Sequence, residues 1–310
     1  MMPERICPEA TPHERRYAAR MNRTNHRDTR TAYLMLAPFL LFFALFVLYP
    51  AAMTVYYSFT SFNLKEAAWV GLKNYRRLLR DEAFLAALRN TAVFAAYSIV
   101  SLTVLGFLAA AAMNRAMKGV KWMRMLMIFP YATSMTAISM IWLMMFDAQS
   151  GFLNKFLRLL GASGVEWLFN KDTALYCLIF VNIWKNIGYC MLIYLSGMQS
   201  IDDSLYEAAT VDGASGWTQL WRITLPMVRP VVFFVLITTT VDAFKTFEQV
   251  QIMTRGDPLY ATTTLVHQIY LRGFTEFKMG YASAMAVVLL AIISLVTALS
   301  WGLNRGGERG

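Results

Sequence analysis

Six long apolar segments constrain this chain more than any other feature of its sequence. Each is long enough to cross a hydrocarbon core of about 30 Å, which takes about 20 helical residues. They hold few of the 29 Lys and Arg and 19 Asp and Glu residues, and they do not alternate in polarity as membrane β-strands do. The sequence therefore predicts an all-α integral membrane protein and excludes a secreted or cytosolic enzyme. The predicted membrane helices cover residues about 32–59, 91–114, 125–146, 173–199, 229–252 and 281–303.

The distribution of basic residues predicts how the chain is oriented. Seven of the 29 Lys and Arg residues lie within the first 30 positions, directly before the first apolar segment. Four more lie in the link between the second and third segments: Arg115, Lys118, Lys121 and Arg124. Because short basic flanks stay in the cytoplasm, this link and both chain termini are predicted to be cytoplasmic. We assign the net charge of +10 to membrane orientation rather than to nucleic-acid binding.

The predicted organisation is a basic N-terminal tail (1–30), a six-helix membrane domain (31–304) and a short C-terminal tail (305–310). Two outer connections are predicted to contain helices of their own. In residues 63–90 apolar side chains recur among basic ones, which predicts a surface helix along the outer membrane interface. Residues 147–172 contain three glycines among Phe and Leu residues, which favours a short helix and turns at the membrane surface.

The connection between the fourth and fifth helices is acidic although it is predicted to be cytoplasmic. Four acids outnumber two basic residues there: Asp202, Asp203, Glu207 and Asp212 against Arg222 and Arg229. This composition runs against the positive-inside trend, and acids contribute little to membrane orientation. We therefore infer that these acids serve contact with a partner.

The same connection is predicted to fold as a helix-turn-helix. The candidate N-caps of its first helix are Ser200, Asp202, Asp203 and Ser204. Gly213 and Gly216 allow the chain to turn, because glycine accepts left-handed backbone geometry. A second short helix is predicted over 217–223, and Leu225-Pro226 then begins the next element, where proline needs no N–H partner.

The sequence YEAATVDGA (206–214), followed by Ile223-Thr224-Leu225-Pro226, resembles the EAA loop of ABC importer permeases. The pattern of that loop is EAA, three residues, G, nine residues and then I-x-L-P, and the spacing here matches it. Further segments resemble the carbohydrate branch of this family, the maltose and glycerol-phosphate type permeases. They are GLKNY (71–75), NT (90–91), IWKNIGY (183–189), ATTTL (261–265) and GYASA (280–284).

The resemblance implies a MetI-like six-helix core with a cytoplasmic EAA coupling loop (202–226), located in a bacterial inner membrane. It implies a heterodimer with a second permease, two ABC ATPase subunits, an extracytoplasmic solute-binding protein and a carbohydrate substrate. The residues that it assigns to ATPase coupling are Glu207, Ala208, Ala209, Asp212, Gly213, Leu225 and Pro226. The chain contains no G-x-x-x-x-G-K-[ST] phosphate loop, so ATP and Mg are expected on the partner ATPase, with no cofactor or metal on this chain.

Polar residues at membrane depth are costly and usually face a cavity or a partner. Asn182, Asn186 and Tyr189 share one face of the fourth helix, and Lys185 lies one step round it. Their amides and phenol suit sugar hydroxyls, and the resemblance places this helix beside the sugar path. Interhelical hydrogen bonding is the alternative for these residues, and Lys185 can instead snorkel or pair.

Two further candidates for the substrate path lie on other helices. Tyr131 follows Pro130, which frees backbone groups that a cavity can use. Asp242 lies on the fifth helix with Lys245 three positions later, and the alternative to a path role is an internal ion pair between these two residues.

Other functional classes fit the sequence less well. An enzyme would need a paired acid and base, a metal site or an activated nucleophile, and the three histidines (His13, His26 and His267) have no partner motif. A stand-alone secondary transporter or channel is the main alternative to an ABC permease, although no internal repeat typical of such transporters is visible. The sequence leaves open which sugar is carried, whether neutral or anionic, such as uronate oligomers or glycerol phosphate.

Overall fold

A computed structural model describes residues 31–114 and 118–306 of the chain. The predicted basic tail (1–30), Arg115 and the last four residues lie outside this range. The first unit of the chain ends at Tyr56 and the second begins at Tyr57.

The first described helix, α1, covers Thr31–Ser58 and is long and apolar enough to cross a membrane. It contains a π-helical turn at Ala44–Leu48. Its large apolar side chains are exposed, as expected of residues in a lipid environment, with Leu34 at 77% and Phe46 at 66% of full exposure.

The rest of the described chain is also dominated by helices. They are α2 (Lys73–Leu78), α3 (Glu82–Met113), α4 (Val120–Ala132), α5 (Met135–Met145), α6 (Phe152–Leu159), α7 (Ala174–Gln199), α8 (Asp203–Val211), α9 (Gly216–Gln219), α10 (Leu225–Met227), α11 (Arg229–Phe244), α12 (Glu248–Met253), α13 (Leu265–Tyr270) and α14 (Met279–Gly306). Five helical stretches of the described chain are long and apolar enough to span a membrane, and the bent pair α4 and α5, taken as one broken span, brings the number to six. The six-helix expectation agrees with this architecture.

The second span begins earlier than the sequence predicts. Helix α3 starts at Glu82, where the Asp81 side chain accepts hydrogen bonds from the backbone N–H groups of Ala83 and Phe84. The predicted surface helix over 63–90 is therefore wrong: only the short α2 forms there, and the last residues of that segment are the first turns of α3. Phe84 and Ala87 are buried, at 3% and 0% exposure, so tertiary packing continues the helix through the basic residue Arg89.

The third span is broken rather than continuous. Helices α4 and α5 meet at an angle of 99°, and Thr133, between them, has an extended backbone. Pro130 lies inside α4. The predicted single helix over 125–146 is wrong in this respect, because both halves are apolar and hydropathy alone cannot detect the break.

The predicted helix within 147–172 is confirmed as α6. Its Asn154 side chain is fully buried and donates to the backbone oxygens of Ala148 and Val165 at 3.0 and 2.8 Å. It also accepts from the Val165 N–H and from the Trp167 indole N–H at 2.9 Å. The Asn154 amide therefore links α6 to the segments on both sides of it in this connection.

Asn90 and Thr91, two buried polar residues of α3, have a structural role. Asn90 donates to the backbone oxygens of Tyr260 and Thr263 at 2.7 and 3.0 Å, and the Thr91 hydroxyl accepts from the Leu265 N–H. These bonds tie α3 to the connection that precedes α13.

Asp81 joins the start of α3 to α14 and to the connection before it. Its carboxylate accepts from the Tyr281 hydroxyl at 2.7 Å and lies 3.6 Å from Arg272. Burial acts to raise the pKa of Asp81, but the hydrogen bonds from Tyr281 and Phe84 and the charge of Arg272 outweigh it, so the pKa is lowered. The carboxylate is thus held ionised at neutral pH.

Candidate functional site

A polar cavity of about 500 Å³ opens between α5, α7, α11 and α12. Its lining residues are Met135, Asn182, Lys185, Asn186, Asp242, Lys245, Thr246, Phe247, Glu248 and Gln249. Two ammonium groups, two carboxylates, three amides and one hydroxyl therefore surround a space at membrane depth. Such a set can hydrogen-bond a polyhydroxylated solute from several sides.

The side-chain amides of Asn182 and Asn186 on α7 are joined by hydrogen bonds to each other and to α3. The Asn186 side chain donates to both the backbone and the side-chain oxygen of Asn182, at 2.9 and 3.1 Å. Asn182 in turn donates to the Ser98 hydroxyl of α3 at 3.1 Å. The interhelical bond that was the alternative role of Asn182 does form, and both amides nevertheless line the cavity.

Lys185 is buried, at 8% exposure. Its ammonium donates to the Tyr131 backbone oxygen at 2.9 Å and lies 5.1 Å from the centre of the Tyr131 ring. That ring stacks on Tyr189 with centroids 4.6 Å apart. Tyr131 and Tyr189 therefore adjoin the cavity through Lys185 and are not among its lining residues.

Asp242 and Lys245 do not form the internal ion pair that was the alternative role for Asp242. The ion pairs among the described residues involve Asp81, Arg272, Glu276 and Lys278. Lys245 caps the C-terminus of α11 and its backbone N–H donates to the Asp242 backbone oxygen, but the two charged side chains form no ion pair within the described residues. Asp242, Lys245 and Glu248 are all exposed toward open space.

The sequence did not identify the contribution of the helix breaks to this cavity. Thr246 and Phe247 come from the break between α11 and α12, and Met135 is the first residue after the break between α4 and α5. Lys245 and Glu248, two charges inside an apolar segment, were the signal available in the sequence for the second break.

The acidic connection presents a short exposed helix. Asp202 is the N-cap of α8 and accepts from the Ser204 N–H, and this hydrogen bond holds the pKa of Asp202 below its ordinary value. Glu207 and Ala208 are exposed on α8, while Ala209 is half-buried. The two apolar residues that flank this surface, Leu205 and Val211, are 42% and 88% exposed.

The turn after α8 is fixed by backbone and side-chain bonds. Asp212 is the C-cap of α8, and Gly213 follows with φ +78°, a left-handed geometry that glycine adopts without strain. The Gln219 amide donates to the Thr210 hydroxyl and to the Ala214 backbone oxygen. The predicted turn at Gly213 is formed as the sequence suggests.

The segment after the turn leads directly into α11. The predicted second helix over 217–223 is instead α9, capped by Ser215, followed by a π-helical turn at Leu220–Thr224. Leu225 and Pro226 then begin α10. The Tyr206 and Thr224 hydroxyls lie 2.9 Å apart and hydrogen-bond, so α8 is attached to the segment that leads into the cavity-lining helix.

His267 has no role at the cavity. It is 1% exposed, and its ring nitrogens bond the Thr263 hydroxyl and the Gln251 side-chain oxygen, each at 3.0 Å. Burial lowers its pKa, which favours the neutral ring in this structural role. Within the described residues, no group of three or more His, Cys, Asp or Glu side chains could hold a metal.

Comparison with known proteins identifies a family that this chain matches. Residues 102–305 match the family of binding-protein-dependent transport system inner membrane components. The sn-glycerol-3-phosphate transport system permease protein UgpA of Agrobacterium fabrum is 34% identical over 278 residues, covering 87% of this chain and 92% of the relative. UgpA of Brucella suis biovar 1 is 35% identical over 275 residues, with the same coverage.

A solved structure supports the fold. A chain of a bacterial ABC transporter involved in the import of the acidic polysaccharide alginate superimposes with a TM-score of 0.81, at 24% identity, covering 92% of this chain and 98% of that one. With the apolar spans, the EAA-type loop and the polar cavity, these matches show that the chain belongs to the family of binding-protein-dependent transport system inner membrane components.

Proposed function

We propose that this subunit forms half of a solute path and couples it to ATP hydrolysis through α8. In the proposed complex it pairs with a second permease, two cytoplasmic ABC ATPase subunits and an extracytoplasmic solute-binding protein, with both termini in the cytoplasm. ATP and Mg bind to the ATPase partners, and this chain carries no catalytic group. The stand-alone transporter is disfavoured, because the family is defined by dependence on a binding protein.

The exposed surface of α8 is the observation that carries the coupling role. Glu207 offers a carboxylate and Ala208 a small side chain, so a partner helix or cleft can approach the backbone closely. The neighbouring Val211 is 88% exposed, and an apolar side chain this exposed at a charged surface is typical of a docking site. A depression of about 710 Å³ beside Asp212 and Gly213 extends this surface.

A continuous chain of contacts connects α8 with the cavity. The Tyr206–Thr224 hydrogen bond joins α8 to the segment before α10, and α10 leads into α11, which contributes Asp242 to the cavity lining. Movement of α8 by an ATPase would therefore displace the cytoplasmic end of a cavity-lining helix.

Coupling is tested by a charge reversal on α8 and by a substitution in the turn that follows it. In the assembled transporter, Glu207→Lys and Gly213→Asp should abolish uptake and solute-stimulated ATPase activity while membrane insertion stays normal. Glu166→Lys, an equally exposed acid in a different connection, is the matched control and should leave both activities intact. Transport that is unchanged in both Glu207→Lys and Gly213→Asp would contradict the coupling role.

For the solute, we propose a small polyhydroxylated compound with an anionic group, such as glycerol 3-phosphate. The UgpA relatives carry this solute in their name. In the cavity, exposed Lys245 supplies a cation without an ion-pair partner among the described residues. Asn182, Asn186 and the carboxylates of Asp242 and Glu248 can bond hydroxyl groups.

A neutral sugar is the second candidate, since Asp242 and Glu248 place two carboxylates at the same cavity. The two candidates differ in their response to Lys245→Met. An anionic solute would lose apparent affinity by about tenfold or more, the usual effect of removing a charged hydrogen-bond partner, whereas a neutral sugar would be little affected. Uptake of radiolabelled glycerol 3-phosphate and of unphosphorylated sugars, each with its binding protein, distinguishes them.

A further inference from the structure

The break in the third span leaves backbone groups that need partners. Helix α4 ends at Ala132, α5 begins at Met135, and their axes differ by 99°. At membrane depth an unsatisfied carbonyl is costly, so a broken helix persists where a side chain or neighbouring helix supplies the missing hydrogen bond.

Lys185 supplies such a bond from a helix distant in sequence. Its ammonium donates to the Tyr131 backbone oxygen, 54 positions away, at 2.9 Å, and it lies over the Tyr131 ring. The ring is in turn held against Tyr189. The Lys185 ammonium is therefore held by the backbone oxygen and the ring of Tyr131, one residue before α4 ends.

Lys185 keeps this bond although the Glu248 carboxylate acts electrostatically on its ammonium. Asp242, Lys245 and Glu248 line the same cavity, and none of them forms an ion pair with Lys185 in the described chain. Lys185 is 8% exposed, whereas Lys245 is exposed. The two cavity lysines thus have different environments.

The break also determines where the outer half of the span lies. Helix α5 packs against α12, the short helix that follows the second break, and the Thr264 hydroxyl donates to the Thr246 oxygen in that second break at 3.0 Å. A side chain from elsewhere in the chain therefore caps each break: Lys185 of α7 at the first and Thr264, the N-cap of α13, at the second. Met135, the first residue of α5, lines the cavity, so any change in the bend alters access to it.

We propose that Lys185 is a positioning residue for transport: its bond to Tyr131 fixes the bend between α4 and α5 and holds the α5–α12 pair beside the cavity. It is not a ligand of the solute. The proposal rests on the cavity being the solute path, as proposed above, and it assigns the two lysines separate tasks, with Lys185 holding the backbone and Lys245 meeting the solute.

The test measures access to the cavity separately from solute affinity. In the assembled transporter with Cys7→Ser, Met135→Cys is labelled from outside with a membrane-impermeant methanethiosulfonate reagent, and Cys177 and Cys190 remain because both are buried. Lys185→Met should raise the labelling rate by about tenfold, the effect of losing one charged hydrogen bond. It should also lower maximal uptake with KM little changed, and Lys185→Arg should restore both values toward those of the parent.

Lys245→Met provides the contrast, with a raised KM for an anionic solute and an unchanged labelling rate. If Lys185→Met does not assemble, Lys185→Gln keeps a neutral donor and is measured instead, with a smaller rise in labelling expected. A raised KM without faster labelling would make Lys185 a solute ligand and overturn the proposal, as would unchanged labelling and uptake. Absence of uptake by the parent complex would refute the proposed function, yet the labelling rates would still test the role of Lys185.

Discussion

The close approach of α4 and α7 at Gly188 makes a specific prediction about the scaffold of the cavity. A β-carbon at Gly188 would overlap the Met127 backbone oxygen and lie 3.0 Å from the Ile128 α-carbon. Ordinary carbon contacts need about 3.5 to 4.0 Å. Gly188→Ala must therefore separate the two helices next to Lys185 and Tyr189.

The magnitude follows from what the new methyl group meets. Extra methyl groups in a packed interior typically cost about 1 to 3 kcal/mol. Here the obstacle is helix backbone, which has no alternative rotamer, so we expect the upper end, about 3 kcal/mol. At about 2 to 4 °C per kcal/mol, the melting temperature of the detergent-purified protein should fall by about 6 to 12 °C.

Two other glycines calibrate this measurement. A β-carbon at Gly106 would lie 2.7 Å from the Cys190 β-carbon, and one at Gly302 would meet nothing within 4 Å. Thermal unfolding, followed by tryptophan fluorescence, should therefore give the highest melting temperature for Gly302→Ala, a lower one for Gly106→Ala and the lowest for Gly188→Ala. Equal melting temperatures for Gly188→Ala and Gly302→Ala would refute the argument from backbone contact.

Three further changes have defined outcomes. Because the pKa of Asp81 is lowered by folding, its contribution to stability is complete above the ordinary carboxyl range and disappears as pH falls through the lowered value. Asp81→Asn should cost about 1 to 3 kcal/mol at neutral pH and weaken the loss of stability in acid, as melting curves from pH 7 to about pH 3 would show. Asn154→Ala should cost about 2 kcal/mol or more, because it removes the buried amide that bonds the half-buried Trp167 N–H and both backbone groups of Val165, and an unchanged melting temperature would contradict this. Gly213→Asn should retain more solute-stimulated ATPase activity than Gly213→Val, since asparagine tolerates a positive φ and a β-branched residue does not.

Features that depend only on residues close together in the sequence were predictable. The apolar segments, the cap at Asp202 and the turn at Gly213 each follow from a few adjacent positions, whose hydropathy, side-chain oxygen or missing β-carbon acts locally. The start of α3 was misplaced because the charge of Arg89 interrupts the hydropathy pattern. A long basic side chain can extend toward water from a helix that continues past it.

Hydropathy and local turn geometry act within a few residues, so both the six apolar helical segments and the EAA-type loop were readable from the order of residues alone. Three features came from packing in three dimensions: the 99° bend in the third span, the bond from Lys185 to the backbone of Tyr131 and the absence of an ion pair between Asp242 and Lys245 in the described chain. Each of these depends on which helix face meets which neighbour across the bundle. Backbone groups freed by a break take their partners from residues far away in the sequence, and no local pattern encodes that choice.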